Sequence, residues 1–217
     1  MIPKSTFYDF KTIRRIEREL IKDTWKVALS ENSRIVVFDT ETSGLEPGHN
    51  VILSLSWQVL DFRLRKIKER TRFFEWPADS SRVEDGAIEV NGLTIEHLVE
   101  LGTTDKAEAL REFAEDVEGA NLLVAHNGMF DEAFILADAA ELKMEVNMSV
   151  PLWDTMIQTA RFVGIRKNGG YKWPRLSELA DKLRIRQDDI DYHKSSSDVE
   201  VTVRCFRSIV KRGLLPR

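Results

Sequence analysis

The 217 residues suit one large domain, and with 42% hydrophobic content they can bury a substantial core. A net charge of -4 argues against a uniformly basic nucleic-acid binder but leaves room for a local basic patch. No stretch approaches the ~18 apolar residues that cross a membrane, the opening "MIPKSTFYDFKTIRR" has no apolar signal core, and the single Cys205 forms no internal disulfide, so a cytoplasmic location without a membrane partner is expected.

Residues 10–30 are expected to be helical, with Ile13, Ile16, Leu20 and Val27 near one face and basic residues elsewhere. "SENSR" (30–34) is a polar break. The continuous run "IVVF" (35–38) predicts a strand buried on both faces. In "VILSLSWQVLD" (51–61) apolar residues at odd positions alternate with Ser54, Ser56 and Gln58, the period of a second strand. Residues 65–76 return as a third. Thr94 can cap a short helix beginning "IEHL". Ala107, Leu110, Phe113, Ala114 and Val117 give helical spacing over 105–118, and Gly119 ends it. "LLVAH" (122–126) reads as a fourth short strand. Further helices are expected at 129–142, 153–163, 176–184 and 196–211. The order implies an α/β layer structure with a mixed sheet. Residues 1–32 read as a helical extension on a domain of residues 33–217.

Asp39 and Glu41 lie two apart at a strand end, so both point to one face. They repel unless a cation lies between them, although Asp, Thr, Ser and Gly also make turns. Asp131 falls in the first turn of the helix that follows "LLVAHNG", and Asp198 in the first turn of the last helix, which Ser195 or Ser196 could cap. Each acid alone is also explained by capping. Together with His193 they form a constellation of hard oxygen ligands for two divalent ions, Mg²⁺ or Mn²⁺, able to clamp a phosphodiester. A histidine near neutral pKa suits a general base. "ARFVGIRKNGGYKWPR" (160–175) offers Arg166 and Lys167 to phosphates and Tyr171 and Trp173 to bases; a solvated loop is the alternative.

The stretches "FDTETSGL" (38–45), "HNGMFD" (126–131) and "HKSSSD" (193–198) resemble the three motifs of the DEDDh, or DnaQ-like, 3′–5′ exonucleases. The third selects the His branch: His193 stands five positions before Asp198, whereas Lys194 stands where the related branch has Tyr. The resemblance covers about residues 33–211. It implies a ribonuclease H-like α/β fold, a five-stranded mixed sheet flanked by helices. It also implies that Asp39, Glu41 and Asp198 hold one metal, that Asp39 and Asp131 hold a second, and that His193 is the general base. Thr42, Leu45, His126 and Phe130 fall where the family contacts the terminal nucleotide. The implied partner is nucleic acid with single-stranded 3′ ends, with DNA expected. RNA trimming, polymerase association and a catalytically silent binding module remain open.

Overall fold

The computed structural model describes residues 31–214; the helix expected over 10–30 lies outside them. Five strands form a mixed sheet in the order β3-β2-β1-β4-β5. β1 (Arg34–Thr42), β2 (Ile52–Asp61) and β3 (Lys66–Phe73) run as an antiparallel meander. β4 (Leu122–Ala125) and β5 (Leu152–Asp154) add in parallel on the other side of β1.

Helices cover both faces, so β1 is buried throughout its apolar run, as the "IVVF" pattern requires. On one face, Val36 and Phe38 of β1 and Leu55, Trp57 and Val59 of β2 pack under α3 (Lys106–Glu118) and α4 (Gly128–Glu141). Phe113 meets Trp57 edge-on at 5.6 Å, a geometry worth about 0.5–1.5 kcal/mol beyond its area. On the other face, Ile35 and Val37 pack under α5 (Thr155–Val163), α6 (Leu176–Leu183) and α7 (Ser195–Lys211). Among the described residues no helix is long and apolar enough to cross a membrane.

Two local readings change. The segment read as the start of a helix at 153 is strand β5, and the helix begins only after Asp154, whose carboxylate accepts from the N–H groups of Met156 and Ile157. An unexpected helix, α1 (Asp85–Asn91), precedes α2 (Ile95–Leu101), whose cap is Thr94 as expected. The alternating polar face of β2 is as buried as the apolar one: Ser54, Ser56 and Gln58 are each 1% exposed, because α7 covers them.

The basic stretch holds a small hairpin, β6 (Arg166–Lys167) and β7 (Gly170–Tyr171), turned by Asn168 and Gly169 at positive φ. The Arg166 guanidinium stacks 4.4 Å from the Tyr171 ring centre. Lys172 is neutralised by Glu178 at 2.5 Å, so Arg166 and Lys167 are the exposed cations of the hairpin itself.

Candidate active site

The apolar run of β1 ends at Phe38, and its next residues continue to alternate faces. Asp39 and Glu41 share the face of Ile35 and Val37, under α7; Thr40 points to the opposite face. α7 brings Asp198 in on its first turn. One carboxylate oxygen from each of Asp39, Glu41 and Asp198 lies within 4.8 Å of the others, and all three groups are partly buried. At an effective dielectric of 20, two like charges at that separation repel by about 3 kcal/mol.

Asp131 belongs to the other layer. Its Oδ1 accepts from the Thr40 N–H at 2.8 Å and from the Thr40 hydroxyl at 2.7 Å. The buried threonine between the two β1 acids, pointing into the opposite layer, therefore fixes the fourth. Asp131 stands outside the tight triad but still acts electrostatically on Asp39 and Glu41.

The acids are held far from their ordinary state. Burial, then Asp131, Asp198 and Glu41, push Asp39 well above the usual carboxylate range. Burial, then Asp198 and Asp131, push Glu41 up to about 8. Burial also raises Asp131 to about 7 and Asp198 to about 6, against the hydrogen bonds each accepts. Asp198 Oδ1 is buried without a hydrogen-bond partner. Clustered carboxylate oxygens, one of them unsatisfied and all disfavouring ionisation without a counter-charge, fit a hard divalent cation.

His193 sits on an exposed loop at φ 64°, and its backbone N–H donates to Asp198 Oδ2 at 3.3 Å. With Glu41, Ser54, Phe73, Leu93 and His97 it lines a pocket of about 170 Å³. Ser195 does not cap α7: it lies inside the helix, and its hydroxyl bonds to β2.

The remaining sequence candidates are placed as follows. Thr42 is buried beside a bulge, its hydroxyl donating to Gly44 O at 2.7 Å. Leu45 is 75% exposed. Phe130 stacks on Phe134 with ring centres 4.8 Å apart and is partly buried against the core. His126 has both ring nitrogens engaged, Nδ1 with the Thr155 hydroxyl at 2.8 Å and Nε2 with Pro174 O at 3.0 Å. Burial lowers its pKa to about 4, so the ring is neutral, with the Nε2 proton given to the carbonyl.

Asp154 went unnoticed in the sequence. Its Oδ1 accepts from the Asn127 N–H at 3.1 Å as well as capping α5. It thereby holds the turn in which Asn127 takes a left-handed φ of 73° and launches the helix bearing Asp131. Gly128 completes that turn: a Cβ there would lie 2.8 Å from the Ala125 Cβ. "WDT" ahead of a helical pattern was the available signal, an Asp in N-cap position.

Comparison with known proteins bears on this geometry. The sequence profile of the RNase T exonuclease family matches residues 36–206. The chain is 29% identical over 174 residues to the PolC-type DNA polymerase III of Mycoplasmopsis pulmonis, covering 79% of this chain and 11% of the polymerase. It is 28% identical over 213 residues to that of Bacillus cereus, covering 94% and 14%. Product-bound exonuclease I superposes with a TM-score of 0.68 at 17% identity, over 85% of this chain and 45% of that one. Escherichia coli exonuclease I in complex with a dT13 oligonucleotide gives 0.68 at 17% identity, over 84% and 42%. The chain thus spans less than half of these solved relatives and a small part of the polymerases, and the shared fold is ribonuclease H-like.

Proposed function

This chain belongs to the RNase T exonuclease family, in its DnaQ-like branch, and on that premise we propose that it is a metal-dependent 3′–5′ exonuclease acting on single-stranded DNA ends. The observation that carries the proposal is the meeting of Asp39, Glu41 and Asp198 within 4.8 Å, with a buried unsatisfied oxygen on Asp198. Asp39, Glu41 and Asp198 would hold one Mg²⁺ or Mn²⁺, and Asp39 with Asp131 a second. Bound there, the ions would supply charge neutralisation at the phosphodiester and polarisation of the attacking water.

The chain's own groups do the rest. Thr40 locks the Asp131 rotamer through two hydrogen bonds to one oxygen. His193, on its exposed loop, accepts the proton of the attacking water; its backbone N–H to Asp198 ties the base to a metal ligand. The pocket beside Glu41 receives the terminal nucleotide, and Thr42, Leu45 and Phe130, at their motif positions, are its further contacts. Arg166 and Lys167 hold upstream phosphates. His126 anchors Pro174, in the segment that follows the hairpin, to the end of β4.

The likeness to PolC-type polymerases and to an exonuclease I seen with a DNA oligonucleotide supports DNA as substrate and leaves proofreading beside a polymerase as a role. The test is degradation of end-labelled single-stranded DNA, duplex DNA and RNA with Mg²⁺ or Mn²⁺. Mononucleotide release from the 3′ end of single-stranded DNA is expected. Faster release from RNA would move the substrate to RNA, and activity surviving EDTA would remove the metal.

A further inference from the structure

The polar face of β2 meets α7 through a row of directed bonds in an otherwise apolar layer. Ser195 Oγ, on the first residue of α7, lies 2.9 Å from Ser54 Oγ and 2.8 Å from Ser56 Oγ. Ser56 Oγ donates to Thr71 Oγ1 at 2.9 Å. Each hydroxyl has one proton, so the donors run Ser54 to Ser195 to Ser56 to Thr71. One turn further along, Gln58 Nε2 donates to Glu200 Oε2 at 3.0 Å. Ser54, Ser56 and Ser195 are 1%, 1% and 3% exposed, so water does not compete.

The register of the sheet gives this seam its meaning. Ser56 stands directly opposite Asp39 and Ser54 directly opposite Glu41 in the β1–β2 ladder. Opposed residues in an antiparallel pair share a face. Ser195 precedes Asp198 by three residues, which places the two on the same side of α7. A single hydroxyl therefore joins the cross-strand neighbours of the two β1 acids to the helix that delivers the third. Apolar packing alone would tolerate sliding or rotation of α7, because it has no direction. Buried hydrogen bonds do not, since a misplaced helix leaves hydroxyls unsatisfied.

We propose that Ser195, with Ser54 and Ser56, is a positioning device that sets the rotation and axial register of α7, and so the placement of Asp198, and of His193 bonded to it, against Asp39 and Glu41. The consequence for metal affinity rests on the nuclease reading above; the consequence for Asp198 position does not.

The test uses Ser195→Ala and the triple variant Ser54→Ala, Ser56→Ala, Ser195→Ala, each as full chain. Mn²⁺ binding is measured without nucleic acid by calorimetry, melting by circular dichroism, and Asp198 position by crystallography. Ser195→Ala should weaken Mn²⁺ binding by about ten-fold, the lower end for residues that orient metal ligands, and shift the Asp198 carboxylate relative to Asp39. The triple variant removes every hydroxyl of the seam except Thr71, which is only partly buried and can turn to water, so its melting temperature should lie within about 2 °C of wild type, while Mn²⁺ binding stays weak. Recovery of both stability and affinity in the triple variant would overturn the proposal, as would an unmoved Asp198 in Ser195→Ala. A wild-type chain that binds no Mn²⁺ would refute the metal reading instead, and Asp198 displacement would then decide the seam.

Discussion

Replacing Glu41 with glutamine should stabilise the metal-free protein at neutral pH. In the fold its pKa is pushed from an ordinary 4.5 up to about 8, by burial first and then by Asp198 and Asp131. A raised folded-state value means that the folded chain holds the proton more tightly than the unfolded chain. Stability from this group is therefore full below about pH 4.5 and is lost as pH climbs toward 8. At about 1.36 kcal/mol per pH unit, the loss accumulated by pH 7 is about 3 kcal/mol, and under about 1 kcal/mol at pH 5. Glutamine keeps the shape and removes the titration. In EDTA the Glu41→Gln variant should then melt higher than wild type at pH 7, by roughly 6–12 °C for a chain of this size. The two should converge near pH 5. Mg²⁺ should raise the wild-type melting temperature and leave the variant nearly unmoved. Circular dichroism melts between pH 5 and 9, with and without Mg²⁺, measure all of this. A wild-type melting temperature that is flat with pH in EDTA, or a variant less stable than wild type at pH 7, would refute the reasoning.

The remaining expectations concern chemistry and packing. Asp39→Asn should reduce turnover to near background in the end-labelled DNA assay while the melting temperature holds or rises, since it relieves repulsion among the acids. His193→Ala should lose about 10²–10⁴-fold in turnover with Mn²⁺ binding retained; a His193→Gln variant with the wild-type rate and pH profile would remove the base role. Arg166→Ala with Lys167→Ala should flatten the salt dependence of single-strand binding by about 0.7 in log–log slope per lost phosphate contact, with the rate at saturation unchanged; an unaltered slope would make the hairpin a solvated loop. Gly128→Ala should cost about 1–3 kcal/mol, because its Cβ meets Ala125 and Leu152 in a packed turn, and an unchanged denaturant midpoint would contradict that contact.

What the sequence determined by itself was set by local geometry. A strand's period of two put Asp39 and Glu41 on one face and Thr40 on the other, whatever the rest of the chain did. Helical spacing located the helix that carries Phe113, and the three ordered motifs carried the family. Partners decided the rest. β5 is only three residues long, too short for a period, and exists because β4 offers it a parallel edge. The alternation in β2 gave a strand but not what covers its polar face, since alternation records polarity and not that α7 lies above. Asp131 is fixed by Thr40 across 91 residues, and Ser195 by Ser54 across 141. No window of sequence contains such pairs. Directed hydrogen bonds between buried groups form only once apolar burial has brought the layers together, and in this protein those bonds decide where the carboxylates stand.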